Sequence, residues 1–233
     1  MIFHIPHSST IVPDNMIVKD REILVCTDWH TETIFPDIDV KMVFPFSRFY
    51  CDVERLIDDP LESIGQGIAY THYRNGEQFR SITDSEMNEI YAIYNDWHRA
   101  LWIEAERQAT MLDNVVLVDC HSFNSEQVGI DEENLPDICI GTNVENSPPE
   151  NIIQMVENSF RNDGYSVARN IPYGGAIVVS ARSNVYSIMV EVNKRTYLDG
   201  YSTMSDNFAN LKNTIANAMK VLSQFEIGEV IAS

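Results

Sequence analysis

Val115-Val116-Leu117-Val118-Asp119-Cys120-His121-Ser122 sets four apolar, mostly β-branched residues directly before Asp, Cys, His and Ser. The pattern predicts a strand buried on both faces with a polar cluster at its C-terminal end. In open α/β sheets that edge is where ligands bind. Asp119 is costly to bury without a partner, and His121 carries a nitrogen lone pair suited to a metal. The stretch therefore reads as a metal ligand beside its support. The plainer alternative is a strand end running into a loop. Recurrence favours the first, because similar junctions appear elsewhere in the chain.

Working outward, Ile2 to Pro6 predicts a first strand that ends in His7-Ser8-Ser9, a second His at the same kind of address. Asp20 to Phe35 has apolar residues at roughly helical spacing, with Asp28-Trp29-His30 in its middle and Glu32 one turn beyond Asp28. A solvated acidic helix face is the alternative for these. Met42 to Phe46 predicts a strand, followed by Arg48 and Arg55 seven positions apart among aromatics, Asp52 and Glu54. Paired guanidinium forks can clamp a carboxylate, or they can form an ordinary Asp-Arg network. Asp58 to Phe79 predicts loops with a hairpin-like excursion.

Asp84 to Leu112 predicts a long helix, capped by Thr83 or Asp84 and leading into the central strand. Ile138 to Thr142 and Tyr165 to Ile171 predict strands that flank a helix opened by Pro148-Pro149 and closed near Gly164. Asn170 and the pair Gly174-Gly175 follow, suggesting either close backbone approach to a ligand or a turn. Ala176 to Ala181 and Val185 to Val192 predict two more strands, the latter carrying Glu191 between valines. A carboxylate there is a candidate general base, or else a salt-bridge partner of Lys194 or Arg195. Met204 to Phe225 predicts an amphipathic helix that covers the sheet.

The 233 residues predict a single domain, residues 1–233, of three-layer α/β/α class with a mixed, mostly parallel central sheet. A formal charge of -19 disfavours nucleic acid and anionic membrane as partners, so an anionic substrate must meet locally placed arginine. Cys26, Cys51, Cys120 and Cys139 stand singly inside apolar runs, as buried thiols of a reducing compartment do. With no signal-like start and no membrane-length apolar run, a cytoplasmic location is the expectation.

Taken together, Pro6-His7-Ser8, Thr27-Asp28-Trp29-His30, Ser47-Arg48 with Asp52 and Arg55, Asp119-Cys120-His121-Ser122, Asn170 with Pro172-Tyr173-Gly174-Gly175, and Val190-Glu191-Val192-Asn193-Lys194-Arg195 before Tyr197 resemble one family in its own order. That family is the N-formylglutamate amidohydrolases, within the wider zinc-carboxypeptidase and aspartoacylase-like fold. The resemblance implies a zinc-dependent hydrolase of a small anionic N-acylated amino acid. It implies one zinc ion held by His7, His121 and an acidic ligand at Asp28, with His30 and Glu32 as alternatives for that third place. Glu191 matches the base that activates water and protonates the leaving amine, and Arg48 matches a carbonyl-polarising cation. Arg55, Asn170, Gly174, Gly175 and Ser122 match substrate contacts. Asp119 and Asp52 match carboxylates that accept a ring N–H from a ligand histidine. Another carboxylate-bearing amide is the alternative substrate, and a metal-dead binding relative is the rival class. The chain departs from the family at Asp52-Val53-Glu54-Arg55, where the family reads Asp-x-Asn-Arg and an acid here replaces a donor.

Overall fold

The computed structural model describes residues 1–37 and 40–228. In chain order the elements are β1 (Ile2–Ile5), α1 (Asp20–Cys26), α2 (Thr31–Ile34), β2 (Val40–Val43), α3 (Asp84–Ala109), β3 (Val115–Phe123) and α4 (Ser125–Val128). There follow β4 (Ile138–Gly141), α5 (Glu150–Asn162), β5 (Val167–Arg169), β6 (Val185–Asn193), β7 (Leu198–Asp199), β8 (Thr203–Met204) and α6 (Phe208–Glu226). Six strands form one sheet in the order β2-β1-β3-β6-β4-β5. All its ladders are parallel except the one between β4 and β6. The mixed, mostly parallel sheet is the one the apolar runs predict.

Side-chain alternation along the strands builds the three layers. Phe3, Ile5, Val116, Val118, Ile188 and Val190 face α5 and α6, packing against Val156, Phe160, Ile215 and Met219. Ile2, Val115, Leu117 and Val185 face α3 and meet Leu101, Ala105 and Ala109. Each fully buried Val, Leu, Ile, Phe or Met among these contributes about 1.5–3 kcal/mol. All nine residues of β3 are buried, as a strand covered on both faces requires. On the α3 side the apolar residues stop after Leu117, and the next residues on that face are Asp119 and His121. The face thus changes from core to chemistry within one strand.

α3 begins with a capping box in which Thr83 and Glu86 bond each other's backbone N–H groups, worth about 1 kcal/mol. Around Asp58 to Phe79 the hairpin-like excursion reduces to a single antiparallel bridge, His72 to Gln78. All four cysteines are buried free thiols.

Four segments differ from the expectations, the first being the strand expected over Met42 to Phe46, which runs as β2 over Val40–Val43 where it pairs with Ile2–Ile5. The helix over Asp20–Phe35 is broken between α1 and α2, where Thr27 is extended and His30 takes a left-handed φ of 64°. Tertiary bonds replace the helical ones there: Asp28 N–H donates to the His7 carbonyl at 2.9 Å, and Trp29 Nε1 and Lys194 Nζ donate to the Leu24 and Val25 carbonyls. The segment Ala176 to Ala181 joins no ladder. Its backbone is bonded by side chains instead, Ala176 to Asn143 on both its N–H and its carbonyl, and Ile177 N–H to Asp119 Oδ2 at 3.2 Å. The last helix starts at Phe208, because Thr203–Met204 pairs with Leu198–Asp199 as β8 against β7.

Candidate active site

His7 follows β1 directly, Asp28 lies in the break between α1 and α2, and His121 lies near the end of β3. One ligand atom from each lies within 4.8 Å of the others, and all three residues are buried. His7 Nε2 stands 2.8 Å from Asp52 Oδ1, and His121 Nε2 stands 3.0 Å from Asp119 Oδ1. Each ring therefore commits Nε2 to a carboxylate and turns Nδ1 inward. His121 Nδ1 is 3.3 Å, and His7 Nδ1 3.7 Å, from the same oxygen, Asp28 Oδ2. Ligand atoms about 2 Å from a common tetrahedral zinc lie roughly 3.3 Å apart, so the group has the dimensions of such a site. Its donor set is chemically apt, two imidazoles and a carboxylate, and His7 Nδ1 is buried with no hydrogen-bond partner.

The electrostatics follow from the burial. Burial pushes the Asp28 carboxyl up, but Arg48, His121, His7 and Lys194 outweigh it and hold it well below the usual carboxylate range. For His121, burial lowers the ring's proton affinity while Asp119, Asp28 and Glu54 raise it further, leaving it well above an ordinary imidazole.

Glu191 stands opposite His121 in the β3–β6 ladder and is buried. Its Oε2 has no hydrogen-bond partner. Lys194 instead donates to the Val25 carbonyl at 2.8 Å and stands 3.9 Å from Asp28 Oδ1. Arg195 pairs with Glu132 and Asp137. The salt-bridge alternative for Glu191 thus finds its proposed partners engaged elsewhere. Burial, with Asp28 and Asp119 adding and His121 and Arg48 opposing, pushes the Glu191 carboxyl up to about 8.

Arg48 is buried, with Nη2 3.5 Å from Asp28 Oδ2 and Nε lacking a partner. Arg55 donates to the Tyr70 hydroxyl at 2.9 Å, and that hydroxyl donates to Asp52 Oδ2 at 2.9 Å. A cavity of about 490 Å³ is lined in part by Arg55, Glu54, Asp59, Asn143, Gly174 and Gly175, and it meets the histidine network at Asp119, the acceptor of His121 Nε2.

Some expected residues lie apart from this group. His30 Nε2 donates to the Ser202 carbonyl at 2.7 Å, away from the histidine pair, and the metal-like group contains Asp28 rather than Glu32. Asn170 commits its side chain to the turn, accepting from Thr142 N–H at 2.8 Å and donating to Thr142 Oγ1 at 3.1 Å. Strand alternation puts Ser122 on the face opposite His121. Gly175, with φ of 85°, supports a turn, and its carbonyl packs so close to Gly141 that a Cβ there would meet it at 2.1 Å.

Sequence reasoning passes over Tyr70, which sits in a loop-rich stretch with no periodic signal, and over Lys194 as a neighbour of Asp28. Burial lowers the Lys194 amine to about 8, Asp28 opposing. The Asn193-Lys194 stretch directly after Glu191 was the available signal.

A second group, His4, Glu54 and Asp119, has similar spacing. There Trp97 Nε1 donates to His4 Nε2 at 2.9 Å.

The sequence profile of the N-formylglutamate amidohydrolases matches residues 1–198. No curated protein matches the chain. Among solved structures, an N-formylglutamate amidohydrolase from Ralstonia eutropha JMP134 superposes with a TM-score of 0.86 at 21% identity, covering 98% of this chain and 94% of that one. A gene product of Agrobacterium tumefaciens superposes at 0.71 and 17% identity, covering 97% and 91%. At these identities the structures establish a shared fold, and the profile match over most of the length establishes more. The chain belongs to the N-formylglutamate amidohydrolase family.

Proposed function

We propose that the chain is a zinc-dependent hydrolase of the amide bond in a small N-acylated amino acid such as N-formylglutamate, with His7, Asp28 and His121 holding the metal. The observation that carries this reading is the shared orientation of two histidines, each committing Nε2 to a carboxylate and turning Nδ1 to one oxygen of Asp28. When bound, zinc supplies a Lewis acid that polarises the amide carbonyl and makes water more acidic. Glu191, with Oε2 free of a hydrogen-bond partner and its raised pKa drawn down by the cation's charge, takes a proton from the attacking water and returns it to the departing amine nitrogen. Arg48, with an uncommitted Nε–H, stabilises charge that builds on the carbonyl oxygen. Arg55 holds the substrate carboxylate with what remains of its donor fork after Tyr70.

Zinc content of the purified protein and release of formate from N-formylglutamate test this together. Stoichiometric zinc with chelator-sensitive formate release is the expected result, and activity unaffected by metal removal would refute it.

One observation favours a narrower substrate. The cavity lining holds three carboxylates, Glu54, Asp59 and Asp119, and one arginine, Arg55, already paired with Asp52 at 3.4 Å. A substrate with one carboxylate suits that balance better than a dianion does.

A further inference from the structure

We propose that Trp97 and His4 are positioning residues for His121: the Trp97 indole fixes His4 as a neutral ring protonated on Nδ1, and His4 then holds Asp119 as acceptor for the His121 Nε2–H. The link to the metal rests on the zinc reading above, whereas the state of His4 stands on its own geometry. An indole nitrogen can only donate, and Trp97 Nε1 lies 2.9 Å from His4 Nε2, so that nitrogen must be bare. The ring's single proton then sits on Nδ1, 3.0 Å from Asp119 Oδ1. Glu54 Oε1 is also 3.0 Å from Nδ1 but lies off the N–H direction and makes no hydrogen bond.

Burial disfavours a second proton on this ring, but Asp119 and Glu54 outweigh it and push the ring up to about 9, so only the indole stands against that proton. That proton would have to sit on Nε2, facing the indole N–H, and two donors at hydrogen-bond distance repel. The same reasoning closes the second metal-like group. A metal on His4 Nδ1 would displace the proton to Nε2, against Trp97. The indole on α3 therefore does two things at once. It keeps His4, Glu54 and Asp119 free of metal, and it leaves Asp119 Oδ1 accepting from both His4 and His121, so that His121 Nδ1 is the nitrogen turned to Asp28.

The test is ¹⁵N NMR of the His4 ring in metal-free and zinc-loaded protein, with zinc affinity measured by chelator competition. The parent should show a bare His4 Nε2 and a protonated Nδ1 in both states, and one zinc per chain. Trp97→Phe keeps a ring against Phe44 but removes the donor. It should protonate His4 Nε2 and either weaken zinc about tenfold, the scale for a lost partner of a ligand histidine, or admit a second, weaker zinc. His4→Asn offers an amide N–H in place of Nδ1 and should retain more zinc affinity than His4→Leu, a ranking that bulk packing does not predict. His4 protonated on Nε2 in a zinc-binding parent overturns this proposal alone. So does a Trp97→Phe protein with parental affinity and one zinc. A parent that takes no zinc overturns the metal reading, and with it the link from His4 to the metal, while the His4 spectrum still decides the Trp97 link.

Discussion

His121 and Glu191 occupy opposite positions in the parallel ladder between β3 and β6, so both side chains emerge on the face that α3 covers lower down the sheet. A candidate ligand and a candidate base are thereby fixed to adjacent strands at the centre of the sheet. Glu191→Gln keeps the shape and removes the proton-accepting charge. It should bind zinc as the parent does and lose on the order of 10²-fold or more in kcat, the scale of a lost general base. A change in thermal midpoint with turnover intact would instead mark Glu191 as structural.

Asp52 accepts from His7 Nε2, from the Tyr70 hydroxyl and from Glu54 N–H, tying the His7 ring to the loop that carries Arg55. Asp52→Asn would offer a weaker acceptor and free the ring to turn. Zinc affinity should fall about 10–100-fold by chelator competition. Equal affinity in the two proteins would show that the His7 orientation does not depend on this carboxylate.

Asp28 and Glu32 make opposite predictions for the same titration. Asp28 Oδ2 faces both inward nitrogens, whereas Glu32 lies on α2 outside the group. Asp28→Asn should weaken zinc strongly and Glu32→Gln should leave it nearly intact. The reverse order would move the third ligand.

Much of this arrangement was legible in the sequence where a local signal existed. The run Val115–Val118 before Asp119 and His121 reads as a strand on either of its two readings, and alternation then decides which residues share a face. The break at Thr27–His30 was illegible because its causes are distant: the His7 carbonyl and the Lys194 amine replace bonds a helix would make. Ala176 to Ala181 failed as a strand for the same kind of reason, since Asn143 and Asp119 side chains satisfy its backbone. Partnerships such as His4 with Trp97 join residues far apart in the chain, and spacing carries no trace of them.

Asp137 gives a pH prediction away from the site. Burial would raise its carboxyl, but Ser166 through backbone and hydroxyl, together with Arg195, outweighs that and holds it below its ordinary value. A depressed folded pKa gives stability that is present above the unfolded value, about 3.9, and lost as pH falls through the folded one. Asp137→Asn should cost about 1 kcal/mol at pH near 7 by urea unfolding, with the gap to the parent shrinking below pH about 4. A gap that is constant with pH would assign the loss to packing rather than charge.

The last prediction concerns Glu54, the residue at which this chain departs from the family pattern. It lines the cavity beside Arg55, and its Oε1 has no hydrogen-bond partner. A substrate carboxylate bound by Arg55 would therefore meet an acid next to its cation, while a second carboxylate would find no other arginine in the lining. The parent should accordingly favour an N-formyl amino acid with a neutral side chain over N-formylglutamate in kcat/KM. Glu54→Asn restores a donor and removes the negative charge, so it should shift that ratio toward the dianion by about tenfold, with the effect mainly on KM. Arg55→Lys keeps the charge but loses the planar fork, so it should raise KM for both substrates alike. A ratio unmoved by Glu54→Asn would remove Glu54 from substrate selection and leave Arg55 as the sole determinant on that wall.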